Sequence, residues 1–350
     1  MRQLTRPERL ALVAVCLVAA IAGVAHYASW SAVGTFAIAA IALAGLAWIV
    51  SLATEQVGEH IGPSATGLLQ ASVGNLPELF VVIFALRAGE QVVAQSAIVG
   101  SLFANSLLVL GFVLIVGAHV GEGRVMRFQP KIPKDAATLL FVCLFIIVLV
   151  GLSLSAGDPA SHHVKAISAI AALLLLSVYL AWVVPEVRNA ARPEAPAPRI
   201  GLALALALLV LGGVGAGFVS DWFIGALKPA IAQLHLSQAF TGLVIVAIAG
   251  NAVEHLVGVR LAAKGKSDLA VTVVVSSVAQ IAAFLFPLLV LVSLTLSTTL
   301  TFALPPIYIG ALAVSAVTVW LITEDGEGRA YEGWALVVIY AILAVITLYE

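Results

Sequence analysis

Two short segments of the sequence share one pattern, Gly-Asn followed by two variable residues and Glu. The first is GNLPE at residues 74–78, and the second is GNAVE at residues 250–254. Each segment lies within an apolar stretch, about ten residues from its start. Each motif therefore lies about ten residues into its predicted helix and hence near the centre of the membrane, where insertion scales make a carboxylate unfavourable by at least about 2.5 kcal/mol. Two such residues indicate a function.

The second segment belongs to a longer internal repeat. A shift of 176 positions aligns, without a gap, Gly74 with Gly250, Asn75 with Asn251, Glu78 with Glu254, Val81 with Val257, Gly89 with Gly265, Ala94 with Ala270 and Ser101 with Ser277. One helix earlier, at a different shift, TEQVGEHIGP (54–63) matches SDWFIGALKP (220–229) and pairs Glu55 with Asp221. Self-similarity at this scale indicates two copies of one structural unit.

The composition indicates that lipid is the main solvent of the chain. Hydrophobic residues make up 62% of the 350 residues and charged residues 10%, against about a quarter charged in soluble domains. A membrane helix needs about 20 apolar residues. Eleven stretches meet that need, approximately at 10–27, 30–53, 64–87, 91–118, 135–156, 163–185, 200–220, 238–261, 268–297, 302–322 and 331–349. We therefore predict an all-α polytopic membrane protein with 11 transmembrane helices.

The basic residues predict the orientation of these helices. With a cytoplasmic N-terminus, 14 of the 17 Lys and Arg residues fall on the inner side, and only Arg87, Lys165 and Lys228 fall outside. This distribution satisfies the positive-inside rule. The first stretch also has features of a signal peptide, but we expect it to be retained as a helix; cleavage would leave the orientation of the others unchanged. The expected location is the cell membrane, with the N-terminus in the cytoplasm.

A linker divides the two copies. Residues 186–199 are rich in Pro, Ala and charge and lack an apolar face, which is typical of a loop. We predict an extra N-terminal helix at 1–28, a first five-helix repeat at 29–185 and a second five-helix repeat at 200–350. Five is odd, so the second copy enters the membrane from the opposite side. This inverted arrangement is typical of secondary transporters, whose substrate site lies near the midplane.

Glu78 and Glu254 are the candidate ligands and proton acceptors. Two carboxylates brought together by pseudo-twofold symmetry suit a hard divalent cation, which prefers several oxygen ligands. Crowded like charges in a low-dielectric site raise each other's pKa, so at least one of the pair should protonate readily without the cation. Binding of Ca²⁺ or of protons, but not both, is the basis of an exchange mechanism.

Neutral oxygens should complete the metal site. Glycines allow close approach of helices and local loosening of the backbone, which exposes carbonyl oxygens. The predicted further ligands, which share small or amide side chains beside the glutamates or on the following helix, are Gly74, Asn75, Gly250, Asn251, Ser101, Asn105, Ser277 and Gln280. The alternative is that these residues only pack and hydrogen-bond the helices to each other.

Other titratable residues suggest a proton pathway and gates. Glu55 and Glu59 end the second helix at the cytoplasmic face, and Asp221 occupies the matching place at the outer face. They attract cations and relay protons, or they are interfacial residues in contact with water. His255 follows Glu254 and either shuttles a proton or orients that glutamate.

These motifs resemble the calcium/proton exchanger family of the cation/calcium antiporter superfamily. The resemblance spans about residues 50–297 and rests on GNLPELF, GNAVEHL, the Lys264–Ala270 segment KGKSDLA, and SSVAQIAAFLFPLLVLV (276–292). It implies eleven helices, exchange of cytoplasmic Ca²⁺ for external H⁺, and coordination by Glu78 and Glu254. It also implies sliding of the second and seventh helices, which carry Glu55 and Asp221.

The sequence departs from that family at several positions. Pro77 replaces a small residue, which alters the carbonyls offered to an ion, and Asp221 stands where glutamate is common. The short linker does not support a regulatory calcium sensor. Sodium-coupled relatives carry an additional acid where Gln280 stands, so this sequence favours protons over sodium.

The sequence leaves one close rival to Ca²⁺/H⁺ antiport, which is exchange of Na⁺, K⁺ or Mn²⁺ through the same site. A membrane metalloenzyme would need a motif such as His-Glu-x-x-His inside a helix, and the sequence has none. A passive channel fits buried titratable acids less well than coupled exchange. We therefore predict a transporter rather than an enzyme, with no cofactor and no nucleic-acid partner, and with self-association left open.

Overall fold

The computed structural model describes residues 4–61, 73–189 and 199–350, which are almost entirely helical. The helices, in chain order, are α1 (Arg6–Tyr27), α2 (Ala32–Ile61), α3 (Leu76–Arg87), α4 (Gln91–Val120), α5 (Lys131–Ala156), α6 (Val164–Asn189), α7 (Leu202–Leu234), α8 (Gln238–Gly250), α9 (Ala252–Ala263), α10 (Ser267–Ser293), α11 (Pro306–Thr323) and α12 (Ala330–Leu348). Two short strands, β1 (Val125–Arg127) and β2 (Glu327–Arg329), pair antiparallel.

The helices confirm a polytopic membrane protein but not the predicted count of eleven spans. Within the described ranges, nine helices are long and apolar enough to cross a membrane, and the pair α8 and α9 would make ten if counted as one span. The remaining predicted span, 64–87, falls partly on residues outside the described ranges. The predicted stretches at 30–53 and 200–220 were too short, because α2 and α7 continue through charged residues to Ile61 and Leu234.

The described chain forms two compact units. Unit 1 comprises Met1–Ala88, Leu180–Leu236 and Ala249–Val253, and unit 2 comprises Gly89–Tyr179, Ser237–Ile248 and Glu254–Glu350. Each unit therefore takes segments from both predicted copies, so the units do not follow the predicted boundary at the linker. That boundary stays a prediction about the sequence repeat.

Local geometry repeats at the same shift of 176 positions as the sequence. Helices α3 and α9 both have 12 residues, and their first residues lie 176 positions apart, as do the first residues of α4 and α10. The turns between these helices contain Gly89 with φ of 77° and Gly265 with φ of 69°. Only glycine adopts such positive values without a steric cost, so the matched glycines allow the same sharp turn in both copies.

In unit 1, α2 and α7 pack antiparallel. Phe36, early in α2, stacks on Phe223, late in α7, with ring centroids 4.6 Å apart. Nearer the middle, a β-carbon placed on Gly212 would lie 2.9 Å from Cγ2 of Val50, so the glycine admits the neighbouring helix. Residues near the C-terminal ends of the two helices therefore lie at opposite ends of the pair.

In unit 2, α4 and α8 approach until their backbones touch. A β-carbon on Gly100 would collide with backbone atoms of Leu243, and one on Gly242 would lie 2.7 Å from the carbonyl oxygen of Val93. Such small-residue contacts allow helices to pack closely in lipid, where the hydrophobic effect does not drive them together. The close contact fixes α4, which carries two of the predicted ligands.

We expect Gly100→Ala to destabilise the protein. The added methyl group would clash with the backbone of Leu243, which cannot move aside by a change of rotamer as a side chain can. Overpacking of this kind costs about 1–3 kcal/mol, which should lower the midpoint of thermal unfolding by several degrees in detergent. Tryptophan fluorescence can follow the transition. Gly310→Ala in α11 is the matched control, because no atom lies within 4 Å of its added methyl group. Equal midpoints for the two variants would contradict the assignment.

Candidate cation site

The two Gly-Asn segments lie directly before the helices that carry the glutamates. Gly74 and Asn75 form a turn before α3, and Asn251 forms the turn between α8 and α9, which are bent by 62°. Glycine and asparagine are poor helix formers, which explains where the breaks fall. The expectation that each glutamate lies about ten residues into a helix is therefore corrected. Glu78 and Glu254 lie in the first turns of α3 and α9.

The first-turn position changes the electrostatics of both glutamates. The first backbone N–H groups of a helix have no partner within it, and the helix dipole places partial positive charge there. A carboxylate in this position is stabilised by about 0.3–1 kcal/mol when exposed and by more when partly buried. Each break thus provides a favourable environment for a negative charge at membrane depth.

Unit 1 brings parts of the two motifs into contact. A β-carbon placed on Gly250 would lie 3.6 Å from Cβ of Glu78 and 3.9 Å from its Cα. Glu78 and Asn251 are each 1% exposed, and Asn75 is also buried. The amide nitrogen of Asn75 has no hydrogen-bond partner among the described residues. Gly250 of the second motif therefore lies against Glu78 of the first, although the two residues are far apart in the sequence.

The predicted neutral ligands of the first copy lie on α4 in unit 2. Ser101 and Asn105 are both completely buried. The side-chain nitrogen of Asn105 donates to the Ser101 carbonyl oxygen at 3.0 Å, so Oδ1 is the atom through which Asn105 can coordinate a cation. A π-helical segment, Ala104–Val109, begins at the same place. Such segments are frequent at functional sites.

The predicted neutral ligands of the second copy lie on α10, also in unit 2. Ser277 and Gln280 are three residues apart and therefore share a helix face. Ser277 is buried, and its hydroxyl has no hydrogen-bond partner among the described residues. A π-helical segment, Ile281–Leu285, begins directly after Gln280, and another, Thr241–Val246, lies in α8. Helices α4, α8 and α10 thus contain the same irregularity, which the sequence did not reveal.

Glu254 and His255 are half-buried residues of unit 2. The Nε2 atom of His255 has no hydrogen-bond partner within the described ranges. This geometry is compatible with both predicted roles of the histidine, the proton shuttle and the orientation of Glu254.

The predicted gate residues Glu55 and Asp221 are separated along the antiparallel helices of unit 1. Val50 of α2 and Gly212 of α7 lie side by side. Glu55 follows Val50 by five residues and Asp221 follows Gly212 by nine, in opposite directions because the helices are antiparallel. At 1.5 Å per residue, the two acids lie roughly 20 Å apart along the pair. Asp221 lines a cavity of about 460 Å³ together with Arg87 and other residues of α3 and α7.

Glu59, the last of the predicted pathway residues, accepts a hydrogen bond at 3.3 Å from the backbone N–H of Arg199. Sequence reasoning missed this contact. It also missed the ion pair of Arg199 with Glu8, whose side-chain atoms are 3.0 Å apart. These partners are 140 and 191 residues apart in the chain, and no motif marks such distant pairs.

The predicted ligands offer two carboxylates together with amide, hydroxyl and backbone oxygens. Among the described residues, no three His, Cys, Asp or Glu side chains are arranged to hold a metal ion. A cation held by the predicted ligands would therefore combine few carboxylates with amide, hydroxyl and backbone oxygens. Hard cations such as Ca²⁺ accept that mixture, and the carboxylates take up protons when the cation leaves.

Long apolar helices that are broken at paired Gly-Asn-x-x-Glu segments define this protein as a secondary transporter of the membrane. The sodium/calcium exchanger protein family matches residues 31–185 and 204–349, and the chain belongs to this family. The resemblance predicted from the motifs is thereby confirmed.

Individual relatives agree with this assignment. The chain is 30% identical over 334 residues to a protein of Synechocystis named Ca(2+)/H(+) antiporter, with 89% of each chain covered. It is 30% identical over 326 residues to the vacuolar calcium ion transporter of Schizosaccharomyces pombe, covering 90% of this chain and 79% of that protein. The solved structure of native YfkE has the same fold, with a TM-score of 0.84 and 24% identity over 97% of this chain and all of that one. These relatives are transporters rather than enzymes.

We expect Gly250→Leu to impair ion binding, because a side chain larger than a methyl group would need space that Glu78 occupies. Transport in proteoliposomes should fall about tenfold or more, in line with the cost of overpacking. Gly250→Ala is the matched control: its β-carbon would make only ordinary van der Waals contact with Glu78. A leucine variant as active as the alanine variant would show that Gly250 does not border the site.

Proposed function

We propose that this protein exchanges cytoplasmic Ca²⁺ for external H⁺ by alternating access, with Glu78 and Glu254 as the anionic ligands of the ion. The observation that carries the proposal is the pair of glutamates, each in the first turn of a helix that follows a Gly-Asn break. The antiporter name of the Synechocystis relative supports calcium and protons as the exchanged ions.

Exchange follows from the fact that the same oxygen atoms serve both substrates. Two ionised carboxylates attract a divalent cation strongly in a low-dielectric site, where charges interact more strongly than in water. Without the cation they repel each other, and protonation relieves the repulsion. Each substrate therefore leaves when the other binds, and the net charge of the loaded site changes little.

The neutral ligands of the proposed site are the backbone and side-chain oxygens at Gly74, Asn75, Gly250 and Asn251, with Ser101, Asn105, Ser277 and Gln280. For Ser277, burial without a hydrogen-bond partner among the described residues favours the role of ligand over packing alone.

The proposed orientation places the N-terminus in the cytoplasm. Glu55 and Glu59 then stand at the cytoplasmic end of α2, and Asp221 stands towards the outside on α7. The separation of Glu55 and Asp221 along this antiparallel pair supports one acidic entrance on each side of the membrane. Sliding of α2 and α7 would open the entrances alternately, and His255 would shuttle protons to Glu254 or orient it.

The rival proposal is exchange of Na⁺, K⁺ or Mn²⁺ through the same ligands. A site for several sodium ions would benefit from a further carboxylate, and Gln280 is neutral. The structure favours none of these ions over another, so the ion dependence of transport decides.

We expect Glu78→Gln and Glu254→Gln each to abolish Ca²⁺ uptake driven by a pH gradient into proteoliposomes. The amide keeps the size of the side chain but can neither carry charge nor accept a proton. Glu122→Gln, an exposed acid in a short turn of unit 2, is the control and should transport like the wild type. Full activity in either site variant, or uptake that needs Na⁺ rather than a pH gradient, would overturn the proposal.

We expect the apparent affinity for Ca²⁺ to rise with pH until the glutamates are fully ionised, and then to level off. Protonated carboxylates do not bind the cation, so each proton displaced should change the apparent Kd about tenfold per pH unit. Calorimetric titration of the purified protein between pH 5 and pH 9 measures the slope. A pH-independent Kd would show that protons and Ca²⁺ do not share ligands.

A further inference from the structure

The last residue of the linker, Arg199, and the residue after it, Ile200, are bound to the end of α2 that carries Glu55. The Nε2 atom of His60 and the carbonyl oxygen of Ile200 are 2.8 Å apart and share a hydrogen bond. The backbone N–H of Arg199 donates to the Glu59 carboxylate at 3.3 Å. These two contacts fix the position of the Arg199 backbone, and hence the region that its side chain can reach.

The guanidinium group of Arg199 is itself held by Glu8 in the first turn of α1. Its Nη1 atom donates to Oε1 of Glu8 at 3.0 Å, and the two side chains are 34% and 18% exposed. The other oxygen of Glu8, Oε2, accepts from the backbone N–H of Thr5 at 2.7 Å. Because both oxygens of Glu8 are engaged, this ion pair is more ordered than a typical surface pair.

The acids at this end of unit 1 act on one another through space. Glu55 lies one helical turn before Glu59, on the same face of α2. Its carboxylate interacts electrostatically with the Arg199 guanidinium and with Glu59 and Glu8. Three carboxylates and the guanidinium group of Arg199 therefore share this end, with His60 beside them, and Arg6 and Arg9 flank Glu8 at the start of α1.

We propose that Arg199 is a tethered cation that sets the affinity with which Ca²⁺ enters from the Glu55 side. The inference rests on the proposed function, because it needs Glu55 to border a calcium entrance. An arriving ion meets the field of these acids, weakened by the Arg199 guanidinium, which cannot deprotonate and so screens at every pH. Arg199 sets the affinity of entry and does not bind the transported ion.

The proposal predicts opposite effects for the two members of the ion pair. Arg199→Gln removes the screening charge and should lower the apparent KM for Ca²⁺ from this side about three- to tenfold at low ionic strength. Glu8→Gln removes a negative charge and releases the guanidinium, so the KM should rise by a similar factor. The double variant restores the charge balance and should return close to the wild-type KM.

The salt dependence and the sidedness of the effect are part of the test. The shift should shrink when KCl is raised to about 1 M, where the screening length is about 3 Å. It should occur only when Ca²⁺ is supplied from the Glu55 side, which oriented membrane vesicles of both polarities can establish. Arg199→Lys keeps the charge and should keep the wild-type KM.

The matched control is the exposed ion pair of Arg127 with Glu327, whose side-chain atoms are 3.1 Å apart in unit 2. Arg127→Gln removes the same charge from the protein and should leave the KM unchanged. A purely structural role of Arg199 would instead lower the unfolding temperature and the maximal rate in both single variants, and the double variant would not recover.

The outcomes separate the two proposals. If wild-type protein fails to exchange Ca²⁺ for protons, the proposed function falls, and this inference falls with it. Suppose that the wild type exchanges these ions. If Arg199→Gln then leaves the KM unchanged, or if Arg127→Gln shifts the KM by the same factor as Arg199→Gln, only the role of Arg199 is overturned. Opposite KM shifts in the two single variants, cancelled in the double variant, support it.

Discussion

The cost of placing a carboxylate in the interior of a membrane protein is the constraint on which the rest of this structure depends. Neither Glu78 nor Glu254 can be left at that depth without partial positive charge, polar groups or a cation nearby. The protein answers by breaking the helix just before each glutamate, which places the side chain at the positive end of a new helix. The break also frees backbone carbonyl oxygens, the ligands that a calcium ion prefers.

Small residues make these breaks compatible with close packing. Gly250 leaves room beside Glu78, and Gly100 and Gly242 let α4 and α8 touch through their backbones. The π-helical segments in α4 and α10 change the direction of side chains at the level of the predicted ligands. Close packing thus characterises unit 2, and acidic helix ends characterise unit 1.

Much of this arrangement was predictable from residue patterns. The hydropathy of the chain predicted a polytopic helical membrane protein, and the paired motifs predicted the exchanger family, both of which are confirmed. The patterns failed where a break depends on three-dimensional context. Hydropathy averages over about 20 residues, so it could not separate α8 from α9 at Asn251, and it ended α7 at residue 220 when the helix continues to Leu234.

By itself the sequence determined the lipid environment and the internal repeat, and it predicted the residues that bind a cation or a proton, because these follow from composition and from the order of residues along the chain. Only the tertiary structure decided that Gly250 lies against Glu78 and that Arg199 pairs with Glu8. Contacts between residues so far apart in the chain depend on how helices pack, and helix packing leaves no local pattern in the sequence. The two glutamates could be predicted from a motif, whereas the contacts between distant segments could not.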